Sequence, residues 1–133
     1  AGPNTYSDDF EGYTQVDDLI DGDDVRWSYF QKTFEGNSID LDSTIVHSGT
    51  HSVRCSASPS SDEDGASKAA FTKQNMAFWE GDVVQLEAWY YLAGADKAQW
   101  LFLMDLEEQA PIGAGPGMRL ALVEDALLVE HKY

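Results

Sequence analysis

Apolar and polar residues alternate with a period of two along much of the chain, which is typical of β-strands with two different faces. In Val83 to Leu92 the even-numbered positions are apolar or aromatic, whereas the odd-numbered positions include Gln85 and Glu87. Similar alternation runs from Gln99 to Glu107, from Met118 to Val123 and from Leu127 onward. No helical stripe of useful length interrupts these segments, so the pattern predicts an all-β chain.

Turn signals separate the predicted strands. Ser48-Gly49 precedes the alternating strand Val53, Cys55, Ala57, and Glu124-Asp125 lies between two strands as a hairpin turn would. Residues 58–67 are rich in Ser, Asp and Gly and predict an exposed loop. Seven or more short strands with regular turns predict a single domain over residues 1–133. Its expected fold is a two-sheet antiparallel β-sandwich.

The alternation also sorts side chains into a core face and an outer face. Leu86 and Tyr90 fall on the core parity, and so do Trp100, Phe102 and the other even-numbered residues up to Leu106. The opposite parity predicts a ligand-binding face on adjacent strands, formed by Glu87, Trp89, Tyr91, Gln99, Asp105 and Arg119. Aromatic rings stack on pyranose rings, while carboxylates, amides and arginine hydrogen-bond sugar hydroxyls. The alternative is an outer sheet face held by ordinary cross-strand pairs.

Charge narrows the range of partners. The chain has 24 acidic and 8 basic residues, for a formal net charge of -16, which repels phosphate backbones and anionic lipids. No stretch approaches the roughly 20 apolar residues of a membrane span. We therefore expect neither nucleic-acid nor membrane partners. The single Cys55 cannot form an internal disulfide, and its parity predicts a buried small hydrophobic residue.

Several segments together resemble the concanavalin-like, heparin-lyase-like β-jelly-rolls, a group that includes carbohydrate-binding modules and polysaccharide lyases. They are the opening Phe10-Glu11-Gly12, the turn at Ser48 to Ser52, and the segments Gly115 to Leu120 and Leu127 to Lys132. The resemblance extends over nearly the whole chain, but no single stretch is diagnostic of an activity. It implies a jelly-roll sandwich, a secreted protein and a polysaccharide or oligosaccharide ligand.

The resemblance also implies a structural calcium ion. In calcium-binding jelly-roll modules, the acid that matches Glu11 coordinates Ca²⁺ together with backbone carbonyls of the turn that matches Ser48 to His51, and hard oxygen ligands suit this ion. His47 and His51 have no evident third ligand, which argues against zinc. If the chain belongs to a lyase, His131 is a conceivable general base. As a lone histidine on a terminal strand, it is more commonly structural.

Members of this family usually continue for about another third of their length, whereas this chain stops on an alternating strand. Either it is the N-terminal part of a longer protein, or another chain or a second copy completes its sheets. Three functions follow. The first is an extracellular carbohydrate-binding module without catalysis. The alternatives are the N-terminal portion of a lyase acting on an acidic polysaccharide, and a protein-interaction domain that pairs through an open strand edge.

Overall fold

The computed structural model describes residues 5–21, 26–61, 63–74, 79–94, 99–107 and 117–132. They form one 3-10 helix and seven antiparallel strands, and none of these residues lies in an α-helix. The helix η1 spans Val16–Leu19, and the strands are β1 (Tyr29–Lys32), β2 (Ser38–Asp42), β3 (Ser52–Ser56), β4 (Ala69–Thr72), β5 (Trp100–Glu107), β6 (Gly117–Val123) and β7 (Ala126–Lys132). The all-β class expected from the period-two alternation is confirmed.

The chain divides into two compact units, Ala1–Tyr91 and Leu92–Tyr133. The first unit contains two separate two-stranded sheets, in which β1 pairs with β4 and β2 pairs with β3. The second unit contains one three-stranded sheet with the order β5-β6-β7. Antiparallel pairing is therefore as predicted. A single domain over residues 1–133 stays a prediction.

An aromatic cluster and one carboxylate organise the opening of the first unit. The rings of Phe10 and Phe71 pack against Trp27, with centroids 6.5 and 4.4 Å away. Asp8 lies beside them: its Oδ2 accepts hydrogen bonds from the Tyr13 hydroxyl and from Nε1 of Trp27, the latter at 2.8 Å. Phe10 has a φ of 64°, a left-handed conformation that costs a bulky residue about 1 kcal/mol or more. Ring packing offsets this cost and fixes the residue that precedes Glu11.

The β2–β3 hairpin has one buried face and one charged face. Ile39 is almost fully buried, and η1, which carries the fully buried Leu19, lies against β2. On the opposite face of the hairpin, Arg54 lies 3.7 Å from the Asp40 carboxylate and 3.5 Å from that of Asp42. The loop from residue 43 to residue 51 joins the two strands and carries the Ser48-Gly49 turn expected from the sequence.

The expectations for Val83 to Leu92 and for Cys55 are wrong. Val83 to Leu92 is not part of a hydrogen-bonded sheet, because alternation favours an extended chain but a strand also needs a partner for its backbone groups. Cys55 lies opposite Ile39 in the hairpin register and is nevertheless exposed. Cys55 does lie on the same face of the hairpin as Ile39, as the alternation predicts. That face is buried at Ile39 on β2 but remains exposed at Cys55 on β3.

The second unit is a meander whose second hairpin turns at Glu124-Asp125, as expected. Glu124 has a φ of 52°, which lets a two-residue connection reverse the chain. Trp100 pairs with Val123 and Glu107 pairs with Gly117, but the register shifts by one residue between Phe102 and Met104. This β-bulge reverses the parity that straight alternation predicts for the second half of β5.

Gly117 is the position in this meander that is least tolerant of a side chain. A Cβ at Gly117 would meet the backbone carbonyl oxygen of Leu106 and lie 2.9 Å from the Cα of Glu107. The backbone cannot yield cheaply there, so Gly117→Ala should lower the free energy of unfolding by about 1–3 kcal/mol. Urea unfolding measures this loss. Gly12→Ala is the control, because a Cβ at Gly12 meets no atom within 4 Å. Equal stability of the two variants would contradict the close approach of β5 and β6 at Gly117.

Candidate functional site

One face of the three-stranded sheet carries both aromatic and charged side chains. Residues directly opposite one another in antiparallel strands lie on the same face, and here Phe102 is opposite Ala121 while Asp105 is opposite Arg119. The Trp100 and Phe102 rings lie with their centroids 6.1 Å apart. We call this surface the aromatic–acidic face, and it consists of Trp100, Phe102, Asp105, Glu107 and Arg119.

The β-bulge explains why these side chains share a face. In a regular strand, Phe102 and Asp105 would point to opposite sides, because they are three residues apart. Phe102 and Met104, however, pair with consecutive residues of β6, so Leu103 is the extra residue on β5. The insertion returns Asp105 and Glu107 to the side of Trp100 and Phe102. It leaves Met104 and Leu106 on the other side.

Arg119 connects the aromatic part of the face to the acidic part. Its Nε donates a hydrogen bond to Oδ2 of Asp105 at 3.1 Å, and its Nη2 donates one to Oε1 of Glu107 at 3.0 Å. The guanidinium carbon lies 5.0 Å from the centroid of the Phe102 ring, within the range of cation–π attraction. The hydrogen bond to Glu107 and the nearby charge of Asp105 raise the pKa of Arg119. The guanidinium therefore remains positively charged.

The two carboxylates of the face affect each other. Desolvation raises the pKa of Asp105, repulsion from Glu107 raises it further, and the charge of Arg119 opposes both effects. One arginine thus holds two acids that would otherwise repel each other. Trp100 and Phe102 remain 54% and 47% exposed. A ligand can therefore reach both rings without any rearrangement of the sheet.

The structure brings only part of the predicted binding face together. Asp105 and Arg119 are in direct contact, and Gln99 precedes Trp100 and accepts a backbone hydrogen bond from Glu124 at 3.3 Å. The remaining predicted residues, Glu87, Trp89 and Tyr91, belong to the first unit. The expected arrangement of all six on adjacent strands is wrong for these three, because their segment forms no strand.

The prediction that Leu86 and Tyr90 are core residues is wrong, because their segment belongs to no sheet and they are 47% and 45% exposed. Trp89, on the opposite parity, is 80% exposed. The Trp89 ring stacks on the imidazole of His47, with a centroid distance of 4.0 Å and an interplanar angle of 14°. Trp89 is therefore held in place by the β2–β3 loop although it lies outside any strand. It forms a second exposed aromatic surface.

Sequence reasoning missed Trp100, Phe102 and Glu107 as members of the candidate site. The five consecutive apolar residues from Trp100 to Met104 contain no polar position that fixes which side faces inward. A signal was nevertheless present, because the acidic residues Asp105 and Glu107 have odd numbers whereas the aromatic residues Trp100 and Phe102 have even numbers. In a regular strand odd and even positions point to opposite sides, so the two groups can share a face only if one residue is inserted between them.

Glu11 joins the opening of the chain to the β2–β3 loop. Its Oε1 accepts hydrogen bonds from the backbone N–H groups of Thr50 and His51, each at 2.8 Å. Its Oε2 accepts a hydrogen bond from the Thr50 hydroxyl at 2.6 Å. The hydroxyl of Thr50, followed by the two amides, lowers the pKa of Glu11 to about 2. Gly49, which has a φ of 71°, leaves room for this approach, because a Cβ there would collide with the carboxylate.

The predicted role of Glu11 as a calcium ligand stays a prediction. The carboxylate faces amide and hydroxyl donors of the turn, whereas the predicted site uses carbonyl oxygens of the same turn. Within the described ranges, no three His, Cys, Asp or Glu side chains converge as metal ligands would. Any calcium ion at Glu11 would therefore take most of its ligands from backbone oxygens, hydroxyls and water.

Comparison of the chain with models of protein families, with curated proteins and with solved structures gave no match. No helix among the described residues is long and apolar enough to cross a membrane. The surfaces that can indicate a function are the aromatic–acidic face and the exposed aromatic surface at Trp89.

The contact between Glu11 and the turn predicts a pH-dependent stability. Because folding lowers the pKa of Glu11 from 4.5 to about 2, its ionised form stabilises the fold above about pH 4.5. This contribution is lost as the pH falls toward 2. We expect Glu11→Gln to be less stable than wild type at neutral pH and the difference to shrink on acidification. Thermal unfolding at a series of pH values measures it.

The control is Glu80→Gln, which also removes one negative charge, from an exposed turn. A stability difference between wild type and Glu11→Gln that stays constant from neutral pH down to about 2 would contradict the hydrogen-bonded role of the Glu11 carboxylate.

Proposed function

We propose that this protein is an extracellular carbohydrate-binding module that acts without catalysis. The observation that supports the proposal is the aromatic–acidic face. There the exposed Trp100 and Phe102 rings lie next to each other, and an arginine held by two carboxylates lies over Phe102. As the finer fold, we propose a two-sheet jelly-roll sandwich of the concanavalin-like type. The antiparallel pairing of all seven described strands is compatible with it.

The chemistry of the face suits a sugar. The flat, apolar side of a pyranose ring stacks on an aromatic ring, and the rim of hydroxyl groups needs hydrogen-bond partners. On this face the Trp100 ring lies next to the Phe102 ring, and Arg119 links Phe102 to Asp105 and Glu107. These carboxylates can accept hydrogen bonds from sugar hydroxyl groups. The hydrogen bonds to Arg119 hold the carboxylates in position before a ligand arrives, which lowers the entropy lost on binding.

Trp89 offers an independent contact for the same class of ligand. One side of its ring is covered by His47, and the residue is still mostly exposed. Tyr91, on the same parity, is also largely exposed. This surface corresponds to the aromatic part of the binding face expected from the sequence. We therefore treat it as a second glycan-contacting surface in the proposal.

Removing the aromatic rings one at a time should show how much each of the two surfaces contributes to glycan retention. Trp100→Ala and Phe102→Ala should each weaken glycan retention about tenfold or more, as loss of a central aromatic contact commonly does. Trp89→Ala should weaken it through the second surface. Affinity electrophoresis through gels containing soluble polysaccharides measures retention, and far-ultraviolet circular dichroism verifies the fold of each variant.

Leu127→Ala is the matched control, because Leu127 is exposed on the opposite face of the same sheet. It should leave retention unchanged. Loss of retention in Trp89→Ala alone would show that the binding site lies in the first unit. Unchanged retention in all three aromatic variants would overturn the proposed function.

A second candidate function is protein interaction through the edge strand β7. Within the described part of the chain, β7 pairs only with β6. Its side chains Leu127 and Val129 are 67% and 61% exposed. A well-formed strand with an open edge and apolar side chains is a common template for pairing with another chain. These observations favour this candidate independently of the aromatic–acidic face.

Light scattering after size-exclusion chromatography tests this candidate. If a second copy pairs with β7, the mass should exceed 14.7 kDa at micromolar concentration. Val129→Lys should then return the protein to a monomer, because a lysine on an edge strand opposes pairing. Glu124→Lys, in the adjacent turn, is the control and should keep the wild-type mass. A monomeric mass at every concentration tested would contradict self-pairing through β7.

A further inference from the structure

The two rings of the aromatic–acidic face do not form a flat surface. The centroids of the Trp100 and Phe102 rings lie 6.1 Å apart, and the planes of the two rings are inclined at 46°. Both residues are about half exposed, so a ligand reaches them from solvent. Full stacking of an aromatic ring on a sugar requires the two flat sides to be parallel. One rigid, flat ligand therefore cannot stack on both rings at once.

The twist of β5 and the side chain of Arg119 hold the two rings in this arrangement. Trp100 and Phe102 occupy neighbouring positions on one face of β5, and the right-handed twist of a strand turns such neighbours relative to each other. The guanidinium of Arg119 lies over the Phe102 ring, 5.0 Å from its centroid. Its hydrogen bonds to Asp105 and Glu107 keep it there. Rotation of the Phe102 ring into the plane of Trp100 would lose this cation–π contact.

The inclination of the rings distinguishes between two physical forms of polysaccharide. At the surface of a crystalline polysaccharide, the exposed sugar rings lie in one plane, and packing between the chains prevents them from turning. Trp100 and Phe102 cannot both stack on such a plane, and one side of the Phe102 ring is already covered by the guanidinium of Arg119. A dissolved chain turns at each glycosidic bond. Its successive sugars can therefore meet two inclined rings one after the other.

We infer that the aromatic–acidic face binds a single dissolved glycan chain and does not adsorb to the surface of a crystalline polysaccharide. This inference rests on the proposed carbohydrate-binding function and specifies its ligand class. One sugar stacks on Trp100, the following sugars pass Phe102, and hydroxyl groups farther along the chain donate hydrogen bonds to Asp105. Because Leu103 is the inserted residue, Asp105 lies four strand positions from Trp100, or about 13 Å at the usual rise of a strand. This path is longer than one pyranose ring, so the face requires an oligosaccharide.

The test compares dissolved and crystalline forms of the same polysaccharides. Affinity electrophoresis measures retention of the full chain by hydroxyethylcellulose, glycol chitin and galactomannan, which are dissolved. Depletion of the chain from suspensions of microcrystalline cellulose, crystalline chitin and crystalline mannan measures adsorption. At least one dissolved polymer should bind about tenfold or more tightly than the crystalline form of the same sugar. Adsorption to the crystalline forms should not exceed that of Trp100→Ala/Phe102→Ala, which lacks both rings.

Variants assign the binding to this face. Trp100→Ala/Phe102→Ala should lose retention by the dissolved polymers, whereas Trp89→Ala should keep the preference for the dissolved form, because it removes only the second glycan-contacting surface. Arg119→Lys keeps the positive charge but removes the planar guanidinium from the Phe102 ring, and it should weaken retention several-fold. The matched control is Arg54→Lys, since Arg54 also lies near two carboxylates, on the charged face of the β2–β3 hairpin. It should keep wild-type retention.

The outcomes separate the inference from the proposed function. If Trp89→Ala binds a crystalline form as tightly as the dissolved form or more tightly, the inference is overturned and carbohydrate binding stays intact. Wild-type retention of Trp100→Ala/Phe102→Ala by a dissolved polymer would also overturn it, because the glycan would then bind elsewhere. Unchanged retention of Arg119→Lys would overturn it as well, because the inclination of the rings would then have no effect on binding. Absence of binding to all six polysaccharides would overturn the proposed function itself.

Discussion

The one-residue insertion at Leu103 determines which side chains can act together in the second unit. Without it, the strict alternation of a β-strand would put Trp100 and Phe102 on one side of the sheet and Asp105 and Glu107 on the other. With it, the register with β6 shifts and the four side chains share a face with Arg119. Only because of this shift can Arg119 contact the Phe102 ring and also donate hydrogen bonds to Asp105 and Glu107, and the proposed binding site depends on that combination.

Carboxylates have a structural role in the first unit that complements their proposed role in the second. Asp8 connects Trp27 and Tyr13 by hydrogen bonds, and Glu11 connects the opening segment to the amides of Thr50 and His51. The loop fixed by Glu11 also carries His47, which supports the Trp89 ring. The proposed second glycan-contacting surface therefore depends on the β2–β3 loop, which Glu11 holds by hydrogen bonds and which stacks on Trp89 through His47.

The sequence predicted the features that depend on local alternation and turns. The all-β class, the Glu124-Asp125 hairpin and the placement of Asp105 and Arg119 on one face of adjacent strands follow from period two and turn chemistry. It did not predict the inserted residue, because Leu103 lies within an apolar run where either parity is equally favourable. It also predicted a strand at Val83 to Leu92, since alternation cannot reveal whether a partner is available for the backbone.

The arrangement of β5 can be measured without any ligand. In the NMR spectrum of isotope-labelled protein, nuclear Overhauser effects report protons that lie within a few ångströms of one another. We expect cross-peaks from the Arg119 side chain both to the Phe102 ring protons and to the β-protons of Asp105, because all three side chains share one face. Cross-peaks from Arg119 to only one of these two residues would show that β5 alternates without the insertion and would contradict the aromatic–acidic face.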